Sequence, residues 1–288
     1  MSLREVFLYL IGVSIVSSQS LSAEHNIYRF PNAQVLASQQ KVEGYGYPFR
    51  VMTDDGDQRA IKYVFLDPEL MKTKYHDLSE HVLIDLPHLP TGDWNEAHIH
   101  WDKHTDTPSI TNTTRTKHLE RMEVWHDRRI DYVDFVNVET LQQDRMQVVT
   151  HADFNTPVLI KIASFPWEIP SVEREAAFYK LLQKSGATPE FLGHVTEGGR
   201  VIGFITEFIR ELPSMRYDNL QGCLTALRKL HQRGVAHGDA HDGNCLIRED
   251  GSPVMIDFEL SRETWSLEEF ERDLDIMGRC IRAASPPT

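Results

Sequence analysis

Cysteine is scarce in this 288-residue chain, which contains only Cys223, Cys245 and Cys280. An odd number of cysteines without any Cys-x-x-Cys spacing argues against a disulfide framework and against a cysteine zinc site. The sequence therefore predicts that all three are buried, reduced thiols.

Positive charge is also in short supply, since 43 acidic residues outnumber 30 Lys and Arg residues and give a formal net charge of −13. A surface of this sign repels phosphate backbones and anionic lipids, so we expect no nucleic acid and no anionic membrane as the main partner. The composition, 41% hydrophobic and 25% charged, is typical of a soluble enzyme with one large core plus an extension.

The chain has no internal repeats, and its apolar run at residues 6–16 is too short to span a bilayer as a helix. We therefore expect no stable membrane span. Residues 1–24 resemble a secretory signal, with Arg4 before the apolar run and small residues after it. A buried strand or helix, or a mispredicted first exon, is the alternative. The unpaired cysteines favour the cytoplasm over the secretory pathway.

The most informative segment is His237-Gly-Asp-Ala-His-Asp-Gly-Asn244, which is followed by Met255-Ile-Asp-Phe-Glu259. It places Asp239 five residues before Asn244 and eighteen before Asp257. An Asp that accepts a hydroxyl proton, and an Asn and a second Asp that hold Mg²⁺, are the parts that phosphoryl transfer requires. The spacing therefore predicts a phosphotransfer site.

A purely structural interpretation of this segment is also open. Asp, Asn and Gly are frequent turn residues, and a hairpin of Leu246–Ile247 with Val254–Ile256 would account for some of them. That interpretation does not explain why carboxylates stand at both ends of the same hairpin.

The segment resembles the protein-kinase-like superfamily. Its form His-Gly-Asp-x-His-x-Gly-Asn is closer to the aminoglycoside-phosphotransferase and small-molecule-kinase branch than to the His-Arg-Asp of protein kinases. The resemblance implies that Asp239 is the catalytic Asp, that Asn244 and Asp257 bind the metal, and that ATP and Mg²⁺ are the cofactors. The superfamily motif Asp-Phe-Gly reads Asp-Phe-Glu here, with Glu259 in place of the glycine.

An apolar run upstream, Val158–Ala163, contains one charged residue, Lys161, and predicts a buried strand. An unpaired ammonium is costly in a core, so this lysine needs an anionic partner or must reach the surface. The helix predicted at Val172–Lys184 offers Glu175 and Glu173, which lie on different helix faces. By the same resemblance, Lys161 contacts the α/β-phosphates and Glu175 holds it.

The run Gly203–Ile209 predicts a strand that leads, by the resemblance, into the segment between the two lobes. There the resemblance puts Thr206 at the gatekeeper position and the backbone of Glu207 and Ile209 against adenine. An amphipathic helix is predicted at Leu220–Gln232, just before the catalytic segment.

One departure from the superfamily pattern concerns the phosphate loop. The candidate strands before the lysine are Tyr132–Val136 and Arg145–Val149. Their connection, Asn137–Asp144, contains no glycine that would let the backbone approach a phosphate closely.

A second departure concerns the C-terminal side. Residues 258–288 predict one helix at about Ser266–Ala283 and no peptide-docking helices. This favours a small molecule or a short exposed segment as the hydroxyl acceptor.

Residues 25–120 carry no catalytic motif. A hairpin is predicted from Pro48–Thr53 and Ile61–Leu66, and Leu86–Trp94 has the composition of a linker. Three histidines nearby could coordinate a metal, with ordinary loop histidines as the alternative. They are His98, His100 and His104. From about residue 45 onwards the chain also resembles small uncharacterised kinase-like proteins of filamentous fungi.

The sequence thus predicts an α+β, two-lobed protein-kinase-like fold. It would have a β-rich N-lobe at 121–208, an abbreviated helical C-lobe at 209–288 and an irregular N-terminal extension at 25–120. The predicted function is transfer of the γ-phosphate of Mg·ATP to a hydroxyl acceptor, a small molecule in preference to a folded protein. The alternative is a pseudokinase that acts as an interaction module. The sequence predicts no oligomeric state.

Overall fold

The computed structural model describes residues 28–54, 59–68, 70, 84–116, 122–142, 144–210 and 213–284, which form an α+β fold. The predicted signal at residues 1–24 lies outside the described residues. Within the described part of the chain, no helix combines the length and apolar character needed to cross a membrane.

Two short strands, β1 (Tyr28–Arg29) and β5 (Ile84–Asp85), pair in parallel beside a larger, five-stranded sheet. The strands of that sheet are β2 (Ala33–Ser38), β3 (Tyr47–Asp54), β4 (Arg59–Leu66), β6 (Glu96–Asp102) and β7 (Thr107–Thr114). Their order in the sheet is the order of the sequence, and β4 and β6 are the one parallel pair.

This sheet corrects the prediction of an irregular extension, although the hairpin predicted within it is confirmed as β3 and β4. The sequence signal for β6 and β7 is weak. In β6 the apolar residues Ala97, Ile99 and Trp101 alternate with His98 and His100. Alanine has little strand preference, so the signal of this short run stays weak. The parallel pairing of β4 and β6 bridges a long stretch of chain that local patterns do not describe.

A six-stranded sheet follows. Its strands are β8 (Arg129–Asp131), β9 (Val136–Gln142), β10 (Met146–Thr150), β11 (Val158–Ile162), β12 (Phe191–Glu197) and β13 (Arg200–Glu207). They lie in the order β8-β12-β13-β11-β10-β9, antiparallel except for β8 and β12. The predicted lysine strand is therefore β11, which lies inside the sheet between β13 and β10.

The first strand of the predicted phosphate hairpin was placed wrongly. Residues Tyr132–Asp134 form a 3₁₀ turn, and the segment predicted as a connection is strand β9. The side chain of Asp131 accepts a hydrogen bond from the amide of Val133 and so caps the turn. The real connection between β9 and β10 is short and still contains no glycine.

Helix α1 (Ile169–Leu181) packs against β13. Its residues Val172, Ala176 and Tyr179 recur every three or four positions and are buried. The helix begins three residues earlier than predicted, with Pro170 in its first turn, where a proline displaces no helical hydrogen bond.

The C-terminal part consists of two helices and short strands. They are α2 (Pro213–His231), β14 (Val235–Ala236), β15 (Cys245–Ile247), β16 (Pro253–Met255), β17 (Arg262–Glu263) and α3 (Leu267–Ala284). The hairpin predicted after the catalytic segment is confirmed as β15 and β16. One apolar cluster runs from the six-stranded sheet into these elements, joining Ile160 and Phe204 to Leu227 and Met277.

Two of the cysteines are disulfide-bonded, which corrects the prediction of three reduced thiols. Cys223 on α2 and Cys245 on β15 are joined, with their Cα atoms 6.0 Å apart, and Cys280 is free but only partly buried. The pairing depends on how α2 packs on the hairpin, and sequence spacing carries no information about that contact.

The two sheets meet through a buried ionic cluster. Arg50 on β3 donates to Glu197 Oε2 at 2.8 Å, and the Tyr63 hydroxyl on β4 donates to Glu197 Oε1 at 2.6 Å. Arg200 on β13 donates to both Glu197 and Tyr63. Buried charges require such partners. The N-terminal sheet is therefore packed tightly against β12 and β13.

Candidate functional site

Three carboxylates surround the ammonium of Lys161. Its Nζ lies 2.5 Å from Glu175 Oε2, 2.9 Å from Glu259 Oε1 and 3.2 Å from Asp257 Oδ1. Lys161 lies on strand β11 inside the six-stranded sheet, and Glu175 lies on α1. Asp257 and Glu259 follow β16. The buried lysine therefore has the anionic partner that its position in a core strand requires.

Opposite charges in this cluster act against the cost of burying them. Burial opposes the charged form of Lys161, but Glu175, Asp257 and Glu259 raise its pKa above the ordinary value. Burial also opposes ionisation of Glu259, yet Lys161 and Arg145 lower its pKa to about 2. For Glu175, burial raises the pKa and Lys161 acts against that rise.

The structure distinguishes the two candidate glutamates on α1. Glu175 faces the sheet and contacts Lys161, whereas Glu173 Oε1 accepts a hydrogen bond from the amide of Glu123 on the outside of the helix. Two residues rotate an α-helix by more than half a turn, so only one of the pair faces the core.

Asp257 stands in a left-handed backbone conformation with a φ of 63°. Aspartate tolerates this conformation better than most residues, and such positions are frequent at functional sites. The next residue, Phe258, is fully buried and packs against Tyr179 and His237, which fixes the segment on the core.

Asp239 and Asn244 lie at the same end of the β15–β16 hairpin as Asp257. The Asn244 side chain donates to the Asp239 carbonyl at 2.9 Å and to Asp239 Oδ2 at 3.2 Å. The carbonyl of Asn244 accepts from the amide of Ile256, which directly precedes Asp257. The hairpin thus brings Asp257 back to the end of the hairpin where Asp239 and Asn244 lie.

A buried aspartate on α3 fixes the loop that carries Asp239. Asp273 accepts hydrogen bonds from the amides of His237 (2.7 Å) and Gly238 (3.1 Å) and contacts His231 Nε2 at 3.1 Å. Burial acts against its ionisation, but these bonds lower the pKa of Asp273. Sequence reasoning missed this residue because nothing local marks it within an amphipathic helix.

A cation fits the residues at this hairpin end. The side-chain oxygen Oδ1 of Asn244 is buried and has no hydrogen-bond donor among the described residues, and oxygen acceptors of this kind bind Mg²⁺. In the part of the chain that the structure describes, the carboxylates close enough together to share an ion are those of Glu175, Asp257 and Glu259, and the Lys161 ammonium already contacts all three. The three candidate histidines do not form such a group in that part.

The residues predicted to line adenine lie at the end of β13. Glu207 is held by two hydrogen bonds from Arg248, and its amide donates to the Glu190 carbonyl. Ile209 is buried, and Thr206 is buried with no partner for its hydroxyl among the described residues. The contacts of Glu207 and Ile209 with adenine stay predictions.

Two site residues lay outside the sequence-based set. Arg145, directly before β10, donates to Glu259 Oε1 at 2.8 Å. Glu259 itself was noted only as the substitute for a glycine, although a carboxylate two residues after Asp257 was a signal that it could reach the same lysine.

Comparison with known proteins gives limited support for a relationship. No protein-family model matches the chain. The EKC/KEOPS complex subunit BUD32 of Yarrowia lipolytica is 33% identical over 81 residues, which are 27% of this chain and 32% of that protein. The chain thus matches about a third of the length of this relative. At the level of the superfamily, the similarity supports a kinase-like relationship.

Proposed function

We propose that this protein is an ATP-dependent phosphotransferase that moves the γ-phosphate of Mg·ATP to a hydroxyl acceptor. The observation that carries the proposal is the contact of Lys161 with both Glu175 and Asp257. A scaffold needs no such arrangement beside an Asp and Asn pair. The proposal includes the two-lobed division, with lobes at about 121–208 and 209–288.

The proposed roles follow from the chemistry of each side chain. Lys161, held by Glu175, binds phosphate oxygens, and Asn244 and Asp257 hold Mg²⁺, which neutralises charge on the phosphates. Asp239 accepts the proton of the acceptor hydroxyl while the oxygen of that hydroxyl forms a bond to the γ-phosphorus. The bond between that phosphorus and the β–γ bridging oxygen breaks, and ADP leaves with that oxygen.

The acceptor is proposed to be a small hydroxylated molecule or a short exposed segment. Asp239 is about half exposed, with a side-chain exposure of 45%, so an acceptor can reach it. His241 Nε2 lies 3.6 Å from Asp239 Oδ2, while its Nδ1 accepts from the amide of Gly243.

Binding and turnover test the proposal separately. Mg·ATP at about 100 times its dissociation constant is expected to stabilise the protein by roughly 2.7 kcal/mol, measured as a thermal shift. Asp257→Asn is expected to abolish transfer from radiolabelled ATP while keeping the fold. Full activity of this variant would show that another group binds the metal.

A pseudokinase is the second candidate, favoured by the glycine-free connection between β9 and β10. Screening metabolite pools and peptide libraries with radiolabelled ATP separates the two. Nucleotide binding without transfer to either pool would favour the pseudokinase. Peptide phosphorylation without any small-molecule acceptor would contradict the proposed acceptor class.

A further inference from the structure

One carboxylate oxygen in the site bridges two cations. Glu259 Oε1 lies 2.9 Å from Lys161 Nζ and 2.8 Å from the Arg145 guanidinium. Lys161 lies in β11, Arg145 lies at the end of the connection before β10, and Glu259 follows the hairpin, so three separate pieces of chain meet at one oxygen atom. An anionic oxygen between a lysine and an arginine is the arrangement that phosphate oxygens adopt in proteins.

Arg145 has donor capacity left over. Its Nε is buried and has no hydrogen-bond partner among the described residues. A guanidinium offers five N–H donors in a fixed plane and suits an anion with several oxygens better than a single carboxylate oxygen. Arg145 also lies at the end of the connection between β9 and β10, where a glycine-rich backbone would otherwise cover the phosphates.

Glu259 borders the solvent, and leaving this position also breaks its hydrogen bond with the Ser171 side chain. Its side chain is 26% exposed and that of Arg145 is 22% exposed, so both border the solvent. Glu175, by contrast, is buried beneath Lys161 with a side-chain exposure of 3%. Asp257 is 38% exposed, but its proposed role is to hold the metal beside the phosphates. When a highly charged anion approaches Lys161, Glu259 is therefore the carboxylate that rotates away.

We propose that Glu259 is a tethered substitute for a phosphate group and that Arg145 is a phosphate-binding residue in place of the missing glycine-rich loop. This inference rests on the proposed function. In the nucleotide-free protein Lys161 and Arg145 both contact Glu259. On binding, both cations exchange the carboxylate for phosphate oxygens, and Glu259 turns to solvent. Molecules in which Glu259 contacts both cations cannot bind the phosphates, so the apparent affinity for nucleotide falls as the fraction of such molecules rises.

Nucleotide affinities of the full chain test this inference, measured by titration calorimetry with Mg·ATP and with adenosine. Glu259→Gln keeps the side-chain size but removes the competing charge, so its affinity for Mg·ATP is expected to rise about tenfold. Arg145→Gln is expected to lower that affinity about tenfold, and Arg145→Lys is expected to restore part of it. Affinity for adenosine, which has no phosphate, is expected to stay unchanged in all three variants.

Two surface variants serve as matched controls. Glu268→Gln and Arg262→Gln make the same changes of charge at exposed ion pairs on or near α3. They are expected to leave both affinities unchanged. Denaturant unfolding of every variant excludes loss of the fold as the cause of an effect.

The possible outcomes separate this inference from the proposed function. Weaker Mg·ATP binding by Glu259→Gln, with a higher Mg²⁺ requirement, would make Glu259 a metal ligand and overturn the inference. Equal losses for ATP and adenosine in Arg145→Gln would show a merely structural role and would also overturn it. If neither the wild type nor Glu259→Gln binds any nucleotide, the proposed function fails and the inference fails with it.

Discussion

Asp273 is a single residue whose two carboxylate oxygens organise the loop before Asp239. In Asp273→Asn an amide NH₂ group would replace one acceptor and face donors that it cannot satisfy. We expect a loss of about 2–4 kcal/mol in the free energy of unfolding, together with a large loss of phosphotransfer.

Urea denaturation and the transfer assay measure these two effects. Asp275→Asn, two residues further along the same helix, changes a carboxylate that is 57% exposed and paired with the exposed Arg279. It is expected to alter stability by about 1 kcal/mol or less. Similar behaviour of the two variants would contradict the role assigned to Asp273.

His194 makes stability depend on pH. Its ring is buried, its Nε2 lies within hydrogen-bonding distance of the amide of Trp125, and burial lowers its pKa to about 4. The unfolded chain has a histidine pKa of about 6.5. Between these values the unfolded state binds a proton that the folded state does not, so the free energy of unfolding falls as the pH falls from about 6.5 to about 4.

Denaturant midpoints across this pH range measure the effect. His194→Gln is expected to remove part of the slope, and His104→Gln, at an exposed position, is expected to keep it. An unchanged slope in His194→Gln would assign the pH dependence to other groups.

At the scale of elements, the contact between strands β3 and β12 depends on Arg50 and Glu197, with side-chain exposures of 1% and 8%. Removing one partner leaves a buried charge unpaired. Arg50→Met is therefore expected to cost about 3–5 kcal/mol in the free energy of unfolding. The double variant Arg50→Met/Glu197→Gln is expected to lose less than the sum of the single variants.

The exposed pair of Arg29 and Asp85 provides the control for this experiment, because both side chains are more than 60% exposed. Arg29→Met is expected to cost about 1 kcal/mol or less. Additive losses in the double variant at Arg50 and Glu197 would show that the two side chains stabilise the fold independently.

The disulfide fixes helix α2 to the β15–β16 hairpin immediately after Asn244. It closes a loop with a sequence separation of 22 residues, and a loop of this size corresponds to about 3 kcal/mol of stabilisation. Unfolding with and without a reductant is expected to show this difference. Cys280→Ala, at the free cysteine, is expected to retain the full effect of the reductant, whereas Cys223→Ala is expected to abolish it.

At the scale of the whole molecule, the N-terminal sheet is part of the folding unit. Phe165 and Trp167, just before α1, stack on each other, and Phe165 also contacts Tyr63 on β4. Without the sheet, these rings and the charges of Glu197 and Arg200 would be exposed. We expect a chain that begins at residue 122 to aggregate or to lose cooperative unfolding, as measured by size-exclusion chromatography and circular dichroism. A soluble, cooperatively folded chain 122–288 would contradict this expectation.

The elements that the sequence determined are those with a strong local signal. The lysine strand β11, the helix α1 and the β15–β16 hairpin followed from apolar periodicity and turn residues, which act over a few positions. The spacing of Asp239, Asn244 and Asp257 predicted one site because a hairpin between them returns the chain to its starting point.

Tertiary structure decided which side chains are partners. It selected Glu175 over Glu173, joined Cys223 to Cys245, and brought Lys161 and Arg145 to the same carboxylate, that of Glu259. It also assembled the weakly patterned strands β6 and β7 into a sheet. These outcomes depend on contacts between segments far apart in the chain. Local periodicity shows which face of an element is buried, but it carries no information about what covers that face.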